Sequence, residues 1–301
     1  SIFYASWWLH VIIILVFLNF LPIGKHFHVI TSLPNVLLYK TTSQGHMSKL
    51  DVEGAFERDE VLGLQTLSNL TWRDFLDLYS CTECGRCEAV FTVNRSCRVL
   101  SPKEIILELR DHAYESYPLF GARTQEKSSD VVPVAVSPDE IWACTTCMAC
   151  VDACPVQINQ LDKILEMRRT EVMMKDEYPT FFTDVFKGYD GRGNPWNMTA
   201  DARLDWTKGH DVPIMSELFA EGKHEEVDML FFVGCATAFE PRNHVVAQSL
   251  VKIMHEAGIK FAILGEEETC TGDAARRIGH EYLFQIQAEK NIEILSQYNV
   301  K

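Results

Sequence analysis

The sequence is short of positive charge: 28 Lys and Arg stand against 42 Asp and Glu in 301 residues, a formal charge of -14. Nucleic-acid affinity comes from cations that neutralise phosphates, so a polynucleotide partner is excluded. A glycine-rich phosphate cradle is missing too. Gly188, Gly191 and Gly193 read as a loop with no strand before it, which is no dinucleotide fingerprint. Nor are the ten cysteines scattered as a disulfide framework would need, since eight fall in two tight groups. Thiols grouped for metal imply a reducing compartment and hence the cytoplasmic side.

One long apolar run is present, IFYASWWLHVIIILVFLNFLPI over residues 2–23, of the length that crosses the roughly 30 Å hydrocarbon layer as a helix. It has no basic leader and no small-residue cleavage site, so it reads as a transmembrane helix rather than a signal peptide. Trp7 and Trp8 suit the interface on one side and Lys25 and Lys40 follow on the other, placing the rest of the chain in the cytoplasm. His10 and His28 lie 18 residues apart. On a continuous helix that is five whole turns, so both imidazoles would share one face about 27 Å apart along the axis. This spacing suits axial ligation of two b-type haems, with the remaining ligands on helices outside this chain or on preceding residues removed or encoded separately. His26 would point off that face. The bland alternative makes His26 and His28 interfacial and His10 a polar group paired with another helix.

Residues 31–70 show no strong period and read as a linker with one short amphipathic helix between Val52 and Leu67. Thr71 is the expected N-cap of a helix running into Cys81; Ser101 and Pro102 start another, and a third follows Cys154-Pro155. CTTCMACVDACP, from Cys144 to Pro155, is the C-x2-C-x2-C-x3-C-P run of a [4Fe-4S] ferredoxin. The cysteine before proline serves the other cluster, so Cys81, Cys84, Cys87 and Cys154 are expected to hold one cluster and Cys144, Cys147 and Cys150 to give three ligands to the second. Zinc is the alternative, but four ligands suffice for it and it has no use for the Cys-Pro partition. In the first motif Phe91-Thr92 stands where Cys-Pro is expected. Cys97 then substitutes through a longer loop, or the second cluster is [3Fe-4S] or takes a non-cysteine ligand; otherwise Cys97 is a small buried hydrophobe.

VDMLFFVGC, a helix from Pro241 to Ala257, then Gly258 and IKFAILGEEETC read as strand, helix, strand, with Gly258 as C-cap and the strands parallel. Cys235 and Cys270 each follow a strand and so reach one sheet edge, where they meet at a metal site or sit as inert buried thiols. A helix is expected from Asp273, and the run Glu266 to Glu268 reads as solvated surface.

Leu21, Pro22, Lys25 and His28 form an LP-x-x-K-x-x-H stretch similar to the last haem-carrying helix of nitrate-reductase gamma-type cytochromes b. CTECGRC, LSPKEIILELRDHAYE, CTTCMACVDACPV, EMRRTEV and NPWNMTADARLDW together resemble the membrane-associated heterodisulfide-reductase-related iron-sulfur oxidoreductases, among them the electron-transfer-flavoprotein:menaquinone oxidoreductases. The resemblance covers most of the chain. It implies a haem b membrane domain, a two-cluster ferredoxin domain and paired cysteine-rich CCG domains, of which this chain holds the last membrane helix and the first CCG repeat. In such a repeat Cys235 and Cys270 would serve a noncubane cluster, but Cys270-Thr271-Gly272 replaces the Cys-Cys-Gly triplet and lacks one ligand.

The expected fold is mainly α, with a transmembrane helix over 1–30, a linker over 31–70, an α-helical two-cluster ferredoxin domain over 71–178, a connector over 179–225 and an α/β CCG-type half-domain over 226–301. The expected function is electron relay between a cytoplasmic flavoprotein-like partner and haem b and menaquinone in a bacterial or archaeal cytoplasmic membrane. The alternatives are a thiol-disulfide reductase of heterodisulfide type, or a structural anchor subunit of a larger respiratory or photosynthetic complex.

Overall fold

A computed structural model describes residues 2–39, 45–91, 99–117 and 129–298; Lys40, Cys97 and most of the polar stretch 121–130 lie outside them. The chain forms two compact units, Ser1–Lys175 and Asp176–Lys301.

The first unit is all helix among its described residues: α1 (Ile2–Phe20), α2 (His28–Leu37), α3 (Val52–Glu57), α4 (Trp72–Ser80), α5 (Arg86–Val90), α6 (Pro102–Ser116), α7 (Val131–Val134), α8 (Pro138–Ala143), α9 (Ala149–Asp152) and α10 (Gln160–Met173). α1 has 19 residues, a mean hydropathy of 1.9 over its most apolar window and no buried residue, so it is long and apolar enough to cross a membrane. It stops earlier than the apolar run. Leu21–Ile23 tightens into a 3-10 turn around Pro22, and Gly24 is extended before a second 3-10 turn at Lys25–Phe27. Proline removes an amide donor and glycine pays no steric penalty for leaving the helix, so the ladder breaks there. His10 and His28 therefore sit on different helices, and the five-turn arithmetic that put them on one face does not hold.

Residues 28–37, expected within the anchor and linker, form a helix docked on α4. Thr31 Oγ1 donates to the Tyr79 carbonyl at 2.8 Å, and Asn35 Nδ2 donates to Asp77 Oδ1 at 3.1 Å and to the Val156 carbonyl at 2.8 Å. The helix expected between 52 and 67 is confined to α3, capped by Asp51.

α4 and α8 are built alike. Thr71 accepts from the Asp74 amide at 3.2 Å while Asp74 accepts from the Thr71 amide at 2.9 Å, and Ser137 and Glu140 repeat this capping box on α8. Ser101 caps α6 in the same position, with Pro102 at its first turn. On α6, Ile105, Ile106, Leu109 and Ala113 recur at three- and four-residue steps and are fully buried against Leu78, Ile141 and Ile164. Each such aliphatic side chain contributes about 1.5–3 kcal/mol, and Leu109→Ala costs about 2–5 kcal/mol because a cavity remains. α10 is buried nearly all round, and its charges are paired: Lys163 Nζ lies 2.6 Å from Asp74 and 2.7 Å from Asp77.

The second unit contains α11 (Phe182–Arg192), α12 (Met215–Ala220), α13 (Cys235–Phe239), α14 (Pro241–Glu256), α15 (Asp273–Ile278) and α16 (Glu281–Tyr298), with strands β1 (Met229–Leu230) and β2 (Phe261–Ala262). The strands pair in parallel, Met229 with Phe261 and Leu230 with Ala262, as the crossover predicts. Ile214 extends the parallel set by a bridge to Ile263. Gly258 follows α14 in the left-handed region and Gly272 caps α15. The stretch 179–225 is no mere connector: Trp206 packs into the core with Ala247, Val251 and Phe261. Gly188 and Gly191 lie inside α11 rather than in a loop, and Gly193 ends that helix with φ +65. A side chain at Gly188 would meet the Asn194 carbonyl at 2.5 Å, which is why this turn of the helix carries glycine.

Candidate iron-sulfur sites

α4 and α8 each end at the first cysteine of a motif, Cys81 and Cys144, where the backbone turns extended. The next four residues then repeat one shape. Glu83 (φ 55) and Gly85 (φ 73) in the first loop match Thr146 (φ 59) and Met148 (φ 63) in the second, each pair followed by a short helix, α5 or α9, carrying the third cysteine. Left-handed residues are costly for side-chain-bearing amino acids, so three of them here mark backbone shaped for a purpose. The turns bring amides toward sulfur: Thr146 N–H donates to Cys144 Sγ at 3.4 Å, and Ile158 N–H to Cys154 Sγ at 3.3 Å.

Cys81, Cys84, Cys87 and Cys154 line one cavity, with Ile106, Pro155, Val156 and Ile158 closing its apolar side. The cysteine before proline has thus crossed to the other motif's three. Among the described residues no three His, Cys, Asp or Glu converge at the spacing of a single metal ion. In a cubane each thiolate meets its own iron, so sulfurs set around a cavity fit a cluster better than one zinc ion.

The second site offers Cys144, Cys147 and Cys150, with Met47, Met148, Leu161 and Leu165 packed around Cys150. Phe91, where a fourth cysteine is expected, is 3% exposed and belongs to the hydrophobic core. The described residues therefore supply three cysteines here, and Cys97 lies outside them. Cys87 packs in the same apolar group as Cys150, and its charge is felt there, so the two sites adjoin.

Burial pushes the Cys87 thiol up to about 11 and Cys150 up to about 12, and raises Cys81 and Cys144. At Cys84 burial acts upward as well but is outweighed by the Arg86 amide and the Thr82 hydroxyl, leaving that thiol below its ordinary value. Metal must displace protons from these thiols, and the compensation is the metal-sulfur bond itself. Arg168, stacked 5.2 Å from the Trp142 ring, donates to the Cys144 carbonyl at 2.6 Å and to the Ile141 carbonyl at 2.9 Å, fixing the entry to the second loop.

In the second unit the structure brings Cys235 and Cys270 together. Both are buried, and each thiol acts on the other's proton affinity. Arg203 Nη2 donates to Cys235 Sγ at 2.8 Å, and the Tyr189 hydroxyl lies 3.2 Å from Cys270 Sγ. Glu268 accepts from Arg203 at 2.8 Å and from the Val233 and Gly234 amides at 2.8 Å each. Glu268 is 2% exposed, so the expected solvated run is solvated only at Glu266 and Glu267. Hydrogen bonds from Cys235 and Tyr189 hold the Cys270 thiol below the ordinary range, while Cys235, which keeps the proton, is raised. The sequence pointed to neither Tyr189 nor Glu268, and Arg203 lay unassigned within NPWNMTADARLDW.

The histidines are not brought together. His10 is exposed on α1, while His28 opens α2 and is half-buried.

This is a protein with a cluster-binding helical unit followed by a cysteine-rich α/β unit. Residues 77–158 match the 4Fe-4S dicluster domain, and residues 229–301 match the Cysteine-rich domain called CCG. The chain is 33% identical over its whole length to the "Probable iron-sulfur-binding oxidoreductase FadF" of Bacillus subtilis, covering 47% of that protein. It is 32% identical over 98% of its length to the "EtfAB:quinone oxidoreductase" of Syntrophomonas wolfei, covering 44% of it. It is 29% identical over 77% of its length to a dihydromethanophenazine:CoB--CoM heterodisulfide reductase component of Methanosarcina barkeri, covering 56% of it. The chain spans about half the length of these curated relatives. No solved structure matches it. The chain is thus similar to iron-sulfur oxidoreductases, a heterodisulfide reductase component among them.

Proposed function

We propose that this chain relays electrons between a cytoplasmic flavoprotein-like partner and haem b and menaquinone in a bacterial or archaeal cytoplasmic membrane. The observation that carries the reading is the cavity lined by Cys81, Cys84, Cys87 and Cys154, four sulfurs drawn from both motifs. These four residues hold one [4Fe-4S] cluster; Cys144, Cys147 and Cys150 hold the second, with Cys97 or a non-cysteine ligand as the fourth, or none if that cluster is [3Fe-4S]. Bound clusters supply one-electron redox chemistry at potentials set by burial and hydrogen bonds to sulfur. The chain's own contribution is to donate the Thr146 and Ile158 amides to sulfur and to exclude water with Ile106, Leu161 and Leu165. The exposed apolar α1 supports the membrane placement, as does a further relative, 31% identical over 86% of this chain and named "Probable membrane-anchored ferredoxin", from Chromohalobacter salexigens; the soluble units lie on the cytoplasmic side. His10 and His28 each offer one axial nitrogen to a b-type haem completed by helices outside this chain.

The test is anaerobic iron, zinc and sulfide analysis with EPR and haem spectra on the intact complex. The expected result is about seven or eight cluster irons per chain and a b-type haem. Zinc, or no metal, at the cysteines overturns the reading.

The Cys235–Cys270 contact favours a second reading, reduction of a disulfide substrate at the C-terminal unit. Disulfide turnover by the reduced complex that is lost in Cys270→Ser, with cluster spectra intact, would establish it. Absence of any turnover removes it.

A further inference from the structure

α2 starts at His28, shortly after the end of α1 at Phe20, and carries two buried polar side chains, Thr31 and Asn35. A buried polar group persists in a core only where its hydrogen bonds are specific enough to offset desolvation. Both of these end at one place. Thr31 donates to the carbonyl of Tyr79, two residues before Cys81. Asn35 donates to the carbonyl of Val156, two residues after Cys154, and through Asp77 joins the Lys163 ion pair that anchors α4 to α10. Phe27 packs 5.6 Å from the Tyr79 ring, centroid to centroid, and reinforces the contact. Cys81 and Cys154 are two of the four cysteines around a single cavity. The carbonyl of Cys144 is held by a different residue, Arg168 of α10.

We infer that α2 selects the order of the relay: the cluster site of Cys81, Cys84, Cys87 and Cys154 is the one that exchanges electrons directly with the membrane, and the site of Cys144, Cys147 and Cys150 lies further along the path. Thr31 and Asn35 are the positioning residues. The inference rests on the proposed membrane relay and adds its sequence. Along α2, Thr31 lies about 5 Å and Asn35 about 10 Å from His28. These two side chains thus tie the helix that follows α1 to backbone two residues from Cys81 and two from Cys154. Transfer rates fall steeply with distance and with gaps between bonded atoms, so this hydrogen-bonded helix offers a direct route from the end of α1 to the Cys81 and Cys154 side. The transfer moves one electron between the two centres, in either direction, and breaks no bond.

The test uses the full complex with Thr31→Val, Asn35→Leu and the hydroxyl-retaining Thr31→Ser, the two clusters being distinguished by the EPR spectra of Cys154→Ser and Cys147→Ser. Potentiometric EPR is expected to show a shifted midpoint for the Cys81 cluster alone in Thr31→Val and Asn35→Leu, with Thr31→Ser restored to wild type. After mixing the pre-reduced complex with a water-soluble menaquinone analogue, freeze-quench EPR is expected to show the Cys81 cluster oxidised before the Cys144 cluster. Both are expected to be slowed about tenfold in the two disrupting variants, the size of effect that a packed coupling contact carries. Prior oxidation of the Cys144 cluster, or an unshifted Cys81 cluster in both variants, overturns the inference. A wild-type complex without haem b and inert to the quinone analogue refutes the membrane relay instead.

Discussion

The two units hold their cysteines by opposite means. In the helical unit the backbone does the positioning: two loops of the same left-handed shape present thiols around a cavity, and main-chain amides meet the sulfur. In the α/β unit side chains do it: Arg203, Tyr189 and Glu268, from three separate segments, converge on Cys235 and Cys270. A site made of backbone tolerates change outside its loops, whereas a site made of buried charges depends on each partner.

The sharpest break in this comparison is Cys154→Ser. Loss of about four cluster irons and of one EPR signal is expected, with the other signal retained, because among the described cysteines that residue carries the exchange between motifs. Cys270→Ser is expected to leave both signals of the helical unit unchanged. Next in size, Arg203→Leu leaves Glu268 buried and without its cation, and a loss of about 3–5 kcal/mol in the second transition of a urea titration is expected. The double variant Arg203→Leu, Glu268→Leu should recover most of that loss, since no uncompensated charge then remains.

A pH series separates the units further. Cys270 has a depressed pKa in the folded state, so the unfolded state binds its proton more tightly, and stability gained from the thiolate is fully present above the ordinary thiol value of about 8.5. It is lost as pH falls through the folded value. The urea midpoint of the second unit should therefore fall from pH 8.5 downward and flatten in Cys270→Ser. The raised thiols Cys87 and Cys150 work in the opposite sense and only in alkali, so the metal-free helical unit should lose stability as pH rises toward 11. The smallest effect is Thr71→Ala, about 1 kcal/mol from one lost cap, visible as a few degrees in the melting of the metal-free protein.

The division between the units is also the division between what could and could not be read from sequence. Ligand spacing such as Cys144, Cys147, Cys150 and Cys154 encodes a local loop, and caps such as Thr71, Ser101 and Gly258 act within one turn, so short-range pattern was enough. Arg203, Tyr189 and Glu268 meet only after the α/β unit folds, and none stands in a repeating pattern. α2 went unread for a related reason: Thr31 and Asn35 break its apolar period, yet they are buried because Tyr79, Asp77 and Val156 receive them. The end of α1 at Phe20 was hidden by apolar residues that continue past it, although Pro22 and Gly24 carried the signal.

Phe91 limits what else can stand at its own position. It stands at the same offset from Cys81 as Cys154 does from Cys144, and its ring is buried among aliphatic side chains of the core. A thiol placed at that position would leave a hole of most of an aromatic ring, at about 3 kcal/mol or more. A sulfur ligand at this position therefore requires its neighbours to repack first.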